Sequence, residues 1–289
     1  MFRYLLVPYQ VTRPTLLLQY QGTNGDTNNN SSYNNGGEMK AWNCHGTNQK
    51  DLVDRLCQAT IIRTPAVQKV MELVDRANYI PNNPYMDAPQ MIGLGQTISA
   101  PHMHAHVLEE LYPALVGKRH NLKLLDVGCG SGYLTATLGR WIQLPPWDME
   151  DHDLLGTKVV VSGKVFGIDV RRDLVELTRR NIQNADADLL HSGVLTIDVG
   201  DGWKGLPSEA PFDAIHVGAA ADGLPHALVA QLKLGGVMII PIGIEGQIQT
   251  LCKIERIALN DPLGFDPNDY RIANLLAVRY VPLVKPTDP

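Results

Sequence analysis

Between Asn48 and Leu115 the apolar residues recur at helical spacing. Leu52, Val53 and Leu56, then Val67, Val70, Met71 and Val74, lie three and four apart, the period that lines up one apolar stripe on a helix. Thr64-Pro65 supplies a start signal for the second helix, a hydroxyl N-cap followed by a first-turn proline. A third pattern, Met103, Val107, Leu108, Leu111, Tyr112 and Leu115, follows Ser99-Ala100-Pro101 and predicts a helix with Ser99 as its N-cap.

Further along, the period is lost in short continuous apolar runs: KLLDVG, KVFGID, LTIDVGDG, FDAIHVG and GGVMIIPIG. These runs are rich in β-branched residues, end in Gly or Asp and alternate with helical patterns. Strands apolar on both faces must be covered on both faces, so the expected fold is α/β, a doubly wound, mostly parallel sheet preceded by N-terminal helices.

Two stretches break the pattern. Residues 21–38, QGTNGDTNNNSSYNNGGE, contain too few apolar side chains to offset the entropy of ordering. Residues 1–40 are therefore expected to be a disordered or targeting extension, with Met39 as an alternative start, and 41–289 to be the folded domain. Asn24-Gly25 and Asn35-Gly36 in that extension are sites where a mobile chain readily converts to isoaspartate. The second break, residues 144–158, is rich in proline and acids and reads as a surface insertion.

The chain has 289 residues, is 44% hydrophobic and carries a formal charge of −5. That charge, with no basic cluster, gives no footprint for a nucleic-acid backbone. Four cysteines without CxxC spacing read as reduced thiols of a cytoplasmic protein, and no apolar run reaches the roughly 20 residues that span a bilayer. The expectation is a monomer with no nucleic-acid and no membrane partner.

The chemistry gathers at strand ends. Asp126 leads into Gly128-Cys129-Gly130-Ser131-Gly132, a turn where bare backbone can approach a ligand at the carboxyl end of a strand. The next strand ends at Asp169, 37 residues after Gly132, a position where a carboxylate can accept both ribose hydroxyls of a nucleoside; removing the insertion makes the spacing ordinary. The third ends at Asp201-Gly202, suited to an adenine edge. No third glycine opens the helix at pyrophosphate-binding spacing, which favours S-adenosyl-L-methionine over a dinucleotide, with Asp126 placed to meet its ammonium group. A tight structural turn, a solvated strand-end acid or, for Asp126, service to backbone donors of the turn would explain each feature singly.

His102, His104 and His106 alternate, as ligands on a strand would. On a helix, at about 100° per residue, His104 falls in the apolar arc while His102 and His106 face away with Glu109 and Glu110, toward the surface. The three then cannot converge on one ion, and no metal is expected. His104 and His216 each admit a structural role.

The segments DVGCGSGYLTA, FGIDV, VGDGW, FDAIHVGAAA, IGLGQTISAPHMHA and NPYMDAPQ resemble the protein-L-isoaspartate (D-aspartate) O-methyltransferases. The resemblance runs from about Ala41 to Leu283, apart from the insertion and a divergent stretch near 257–272. It implies a seven-stranded Rossmann-like methyltransferase sheet and methyl transfer from S-adenosyl-L-methionine to isoaspartyl or D-aspartyl carboxyls in damaged peptides and proteins. By matching position, Ser99 would be the active-site serine. Gln96, Thr97, Ile98, Ser99, His104, Ser131, Asp169, Val170, Asp201 and Gly202 would contact the cofactor, alongside Asp126, Gly128 and Gly130 of the glycine turn. NPYMDAPQ would help to enclose the site.

A carboxyl with an intrinsic pKa near 3.9 is already ionised at neutral pH, so this reaction needs positioning rather than a base. A silent adaptor keeping the methyltransferase shell, and a methyltransferase for a small molecule, are the competing readings.

Overall fold

The computed structural model describes residues 44–116, 121–144, 162–260 and 265–286. The expected extension, its Asn-Gly pairs and all of the insertion but Leu144 lie outside those residues.

Helices α1 (Gln49–Gln58) and α2 (Pro65–Leu73) form where the apolar stripes predict, burying Leu52, Val53 and Leu56 in α1 and Val67, Val70 and Met71 in α2. Asn48 caps α1, its side chain accepting from the Asp51 amide. The start of α2 differs: Thr64 occupies the cap position but its hydroxyl makes no capping bond. Instead Glu109 reaches across and accepts from the Arg63 and Thr64 amides at 2.8 and 2.9 Å. An ionised carboxylate is the stronger acceptor, and it also favours the positive end of the helix.

A short hairpin, β1 (Gln90–Gly93) and β2 (Gln96–Ile98), leads into α3 (Pro101–Leu115). The helix is where the sequence predicts, but its N-cap is Ala100, with no side-chain cap, and Ser99 is left free of that duty.

Then come β3 (Leu122–Val127), α4 (Tyr133–Gln143), β4 (Gly163–Asp169), α5 (Arg172–Ala185), α6 (Ala187–His191), β5 (Leu195–Val199), β6 (Phe212–Val217), α7 (His226–Val229), β7 (Leu232–Ile242), β8 (Gln249–Arg256) and β9 (Tyr270–Val278). The seven-stranded sheet has the order β5-β4-β3-β6-β7-β8-β9. It is parallel from β5 to β7, while β8 runs antiparallel to both β7 and β9. This is the expected doubly wound, mostly parallel sheet. The last two strands lacked a continuous apolar signature because β8 alternates buried and half-buried positions and β9 is largely exposed along its length.

Successive β3 residues feed opposite faces, Leu124 packing with the helices α1 to α5 and Leu125 and Val127 with Phe166, Ile168, Phe212 and Ile215 on the other side. Such two-sided burial explains why the strand reads as an unbroken apolar run. From β3 the chain winds outward through β4 and β5, then returns to β6 on the other flank of β3. That reversal opens a crevice at the carboxyl ends of β3 and β6.

Candidate active site

The glycine turn follows β3 directly. Gly128, Gly130 and Gly132 all have positive φ, and Gly132, at +89°, is the N-cap of α4. A Cβ at Gly132 would also lie 2.9 Å from the Thr178 methyl, so only glycine serves both backbone and packing there.

The crevice is lined by Gln96 and Thr97 of the hairpin, Val127 at the end of β3 with Gly128 and Gly130 of the turn, Ile168 and Asp169 at the end of β4 with Val170, Arg171 and Leu174 beyond it, Gly200 and Gly202 after β5, Gly218 and Ala219 after β6, and residues 281–284 near the carboxyl end. Of the thirteen predicted cofactor residues, Gln96, Thr97, Gly128, Gly130, Asp169, Val170 and Gly202 come together on its walls. Asp169 accepts from the Gly130 amide at 3.4 Å and the Arg171 amide at 3.1 Å, and burial raises its carboxyl above the usual carboxylate range. Arg171 ties this end to the hairpin, donating to the Leu94 carbonyl at 2.7 Å.

Other predicted residues are placed differently. Ile98 is in the core, and Ser131 is buried with its hydroxyl accepting from the Tyr133 amide. Asp201 folds back to accept from the Trp203 amide at 2.9 Å and closes its own turn. The need for glycine at 202 is one of packing: a Cβ there would lie 2.6 Å from Val127 Cγ1 and 2.8 Å from Leu283 Cδ1. Asp126 is 1% exposed and does not face the crevice. It accepts from Thr135 Oγ1 at 2.5 Å and pairs with His216 Nδ1 at 2.7 Å, side chains rather than backbone donors of the turn. Its buried carboxyl oxygens are satisfied by side chains that only the tertiary fold brings to them.

A second cluster adjoins the hairpin. The Ser99 carbonyl accepts from Arg76 Nη2 at 2.6 Å, while its side chain hydrogen-bonds the Tyr280 side chain. His104 is buried against the Tyr133 ring, and burial together with the neighbouring Arg76 charge holds its imidazole far below the usual histidine range, hence neutral. The expectation that His102 and His106 face water is corrected. His102 pairs with buried Asp87 at 2.8 Å, and the Nε2 of His106 is buried without a partner, because residues 62–64 and the loop around Asp87 cover that side of α3. The three imidazoles diverge, and among the described residues no group of three or more His, Cys, Asp or Glu side chains is arranged to hold a metal. NPYMDAPQ is braced by Tyr85 on Asp75 and by Asp87 on the Cys44 amide, and its residues are absent from the described crevice lining.

Sequence reasoning missed residues 281–284. They form a strap along the crevice, held by the Leu283 amide on the Ala220 carbonyl at 2.7 Å and by Trp203 Nε1 on the Leu283 carbonyl at 2.8 Å. Nothing in the local sequence signals a contact across 80 residues.

A glycine-turned crevice at the switch point of this sheet, with a buried strand-end carboxylate and no phosphate loop, defines a Rossmann-like methyltransferase. Comparison with known proteins gives the family. A sequence model described as Protein-L-isoaspartate(D-aspartate) O-methyltransferase (PCMT) matches residues 47–288, and the chain belongs to that family. Among similar curated proteins, a protein-L-isoaspartate O-methyltransferase of Triticum aestivum is 40% identical over 235 residues, covering 80% of this chain and 89% of that protein. One of Caenorhabditis elegans is 38% identical over 217 residues, covering 75% and 88%. A crystal structure of a Plasmodium falciparum protein assigned to the same activity, in complex with S-adenosyl-L-homocysteine, superposes with a TM-score of 0.67 at 33% identity, covering 83% of this chain and 99% of that one.

Proposed function

We propose that this chain is a protein-repair methyltransferase that moves a methyl group from S-adenosyl-L-methionine to the free carboxyl of L-isoaspartyl and D-aspartyl residues in damaged peptides and proteins. Family membership over residues 47–288 is the observation that carries this reading.

The crevice suits the cofactor on its own terms. Asp169 is an acceptor-only group at a strand end, matched to a ribose diol, and Val127, Ile168, Ala219 and Leu283 offer apolar walls for an adenine ring. The bound cofactor supplies an electrophilic sulfonium methyl. Gly128 and Gly130 let the backbone come close, Asp169 with Val170 holds the nucleoside end, and Gln96 to Ser99 carry the site toward the substrate. Ser99 holds the carboxylate through its hydroxyl. His104 stays neutral, so it cannot protonate and quench the nucleophile. Buried surroundings exclude water and raise the value of each donor.

Residues 41–289 form the catalytic domain in this reading, and the enzyme works as a cytoplasmic monomer without a nucleic-acid partner. The charge of −5 supports the last point, and the four free cysteines support the reducing compartment. Among the described residues no helix is long and apolar enough to cross a membrane.

The test is labelled S-adenosyl-L-methionine with peptides differing only in Asp or isoAsp at one position. Transfer confined to the isoAsp peptide is expected. Equal transfer to both sinks the repair reading, and cofactor binding without transfer indicates the adaptor.

A further inference from the structure

Among the described residues, Arg76 is the largest side chain that the fold hides completely. Its Nη1 lies 3.1 Å from His104 Nδ1, its Nη2 donates to the Ser99 carbonyl at 2.6 Å, and its guanidinium stands 5.2 Å over the Tyr133 ring. Nε has no partner, and Arg76 forms no ion pair with any described carboxylate. Asp87 is near enough to be felt but is already bonded to His102 and the Cys44 amide. Burial pulls the guanidinium down to about 10, so it remains charged at neutral pH. A buried cation lacking a counter-charge is costly to keep, and such groups concentrate where a ligand completes them.

The contact with His104 also settles a tautomer. Arginine has only donors, so His104 Nδ1 must accept, which places the proton of the neutral imidazole on Nε2. That nitrogen has no hydrogen-bond partner among the described residues. The Nε2–H is thus a free donor one helical turn from Ser99.

We propose that Arg76 is a positioning residue for a carboxylate ligand: it locks His104 as an Nε2–H donor, pins the Ser99 backbone and leaves its own charge uncompensated for the incoming anion. The proposal rests on the methyltransferase reading of the site. Two carboxylates qualify, that of the damaged aspartyl residue and that of the cofactor's amino-acid end. Methyl transfer joins an anion to a sulfonium and cancels both charges. A fixed cation therefore stabilises the bound ground state more than the transition state, and its removal weakens binding rather than kcat.

The experiment combines ¹⁵N-histidine NMR with steady-state kinetics and S-adenosyl-L-homocysteine titration of the full chain, as wild type, R76M and R76K. In the wild type, His104 should show a protonated Nε2 and a bare Nδ1. R76M should lose that fixed tautomer and weaken carboxylate binding at least about tenfold with kcat retained, the loss expected for a charge-assisted hydrogen bond. R76K should recover part of the affinity but not the tautomer, having no fork to reach both partners. A rise confined to the peptide KM assigns the substrate carboxylate, and a rise confined to the S-adenosyl-L-homocysteine Kd assigns that of the cofactor. A His104 proton on Nδ1 in the wild type overturns the proposal even if R76M fails to fold. A folded R76M with an unchanged His104 spectrum, or with kcat lost and both constants unchanged, overturns it too. Wild-type protein that transfers no methyl group would instead refute the methyltransferase reading, leaving the tautomer measurement to judge Arg76.

Discussion

Gly202→Ala probes the join between the crevice and its strap. The added Cβ would sit 2.6 Å from Val127 Cγ1 and 2.8 Å from Leu283 Cδ1, both well inside the 3.4 Å at which ordinary contact begins. Val127 is 1% exposed, in a central strand paired on both sides, and cannot give way. Leu283 belongs to the strap and is held by two hydrogen bonds, to Ala220 and from Trp203. The strap therefore moves, and the overpacking with strained hydrogen bonds costs about 1–3 kcal/mol. At roughly 2–4 °C per kcal/mol for a domain of this size, Tm falls by about 2–12 °C. Because residues 281–284 form one wall of the crevice, affinity for S-adenosyl-L-homocysteine should fall about tenfold, equivalent to about 1.4 kcal/mol. Thermal unfolding and calorimetric titration read the two effects separately, and adding Leu283→Ala should recover part of the Tm by making room. An unchanged Tm would refute the crowding, while a lowered Tm with unchanged affinity would refute the strap as a wall of the site.

Two further outcomes follow from buried charge. Arg140 holds the nearly buried Asp186 through Nε at 3.0 Å and Nη2 at 2.6 Å, so Arg140→Met leaves a buried carboxylate with the Tyr79 hydroxyl as its remaining side-chain donor. A loss of about 3 kcal/mol in urea unfolding is expected, mostly restored by adding Asp186→Asn; a loss under about 1 kcal/mol would contradict it. Asp169 has its carboxyl raised by burial in the free protein, so its folded pKa lies above the unfolded one and deprotonation costs stability as pH rises through it. Ribose hydroxyls donate to the ionised form, so cofactor binding should weaken on acidification from a pH above the ordinary carboxylate range. Asp169→Asn should bind more weakly and lose that dependence, which titrations across pH would reveal; an identical pH profile in the variant would remove Asp169 from the site.

What was legible in the sequence is what local chemistry decides. The two-sided strands, the positive-φ glycines and Asp169 at the end of β4 depend on neighbours in the chain, and the structure has them where periodicity and turn signals put them. Ser99 was misread as a helix cap because Ser-Ala-Pro carries that signal, yet its backbone is engaged by Arg76 and its side chain by Tyr280 instead. Asp126, at the mouth of the glycine turn in sequence, is drawn inward by His216, 90 residues away. His102 and His106 were assigned to water because a helical wheel shows one helix and not the elements that cover its far side. Arg76, in VDRANY, has the look of a surface arginine, and only packing against His104 of α3 and Tyr133 of α4 buries it.

The central claim is the identity of the methylated atom. Brief incubation with the cofactor and a mixture of isoAsp and Asp forms of one peptide, followed by tandem mass spectrometry, locates the methyl group directly. A methyl ester is expected on the free carboxyl of the isoaspartyl residue and none on the Asp form or on other acids. A methyl group on nitrogen, on glutamate, or equally on both peptides would contradict it.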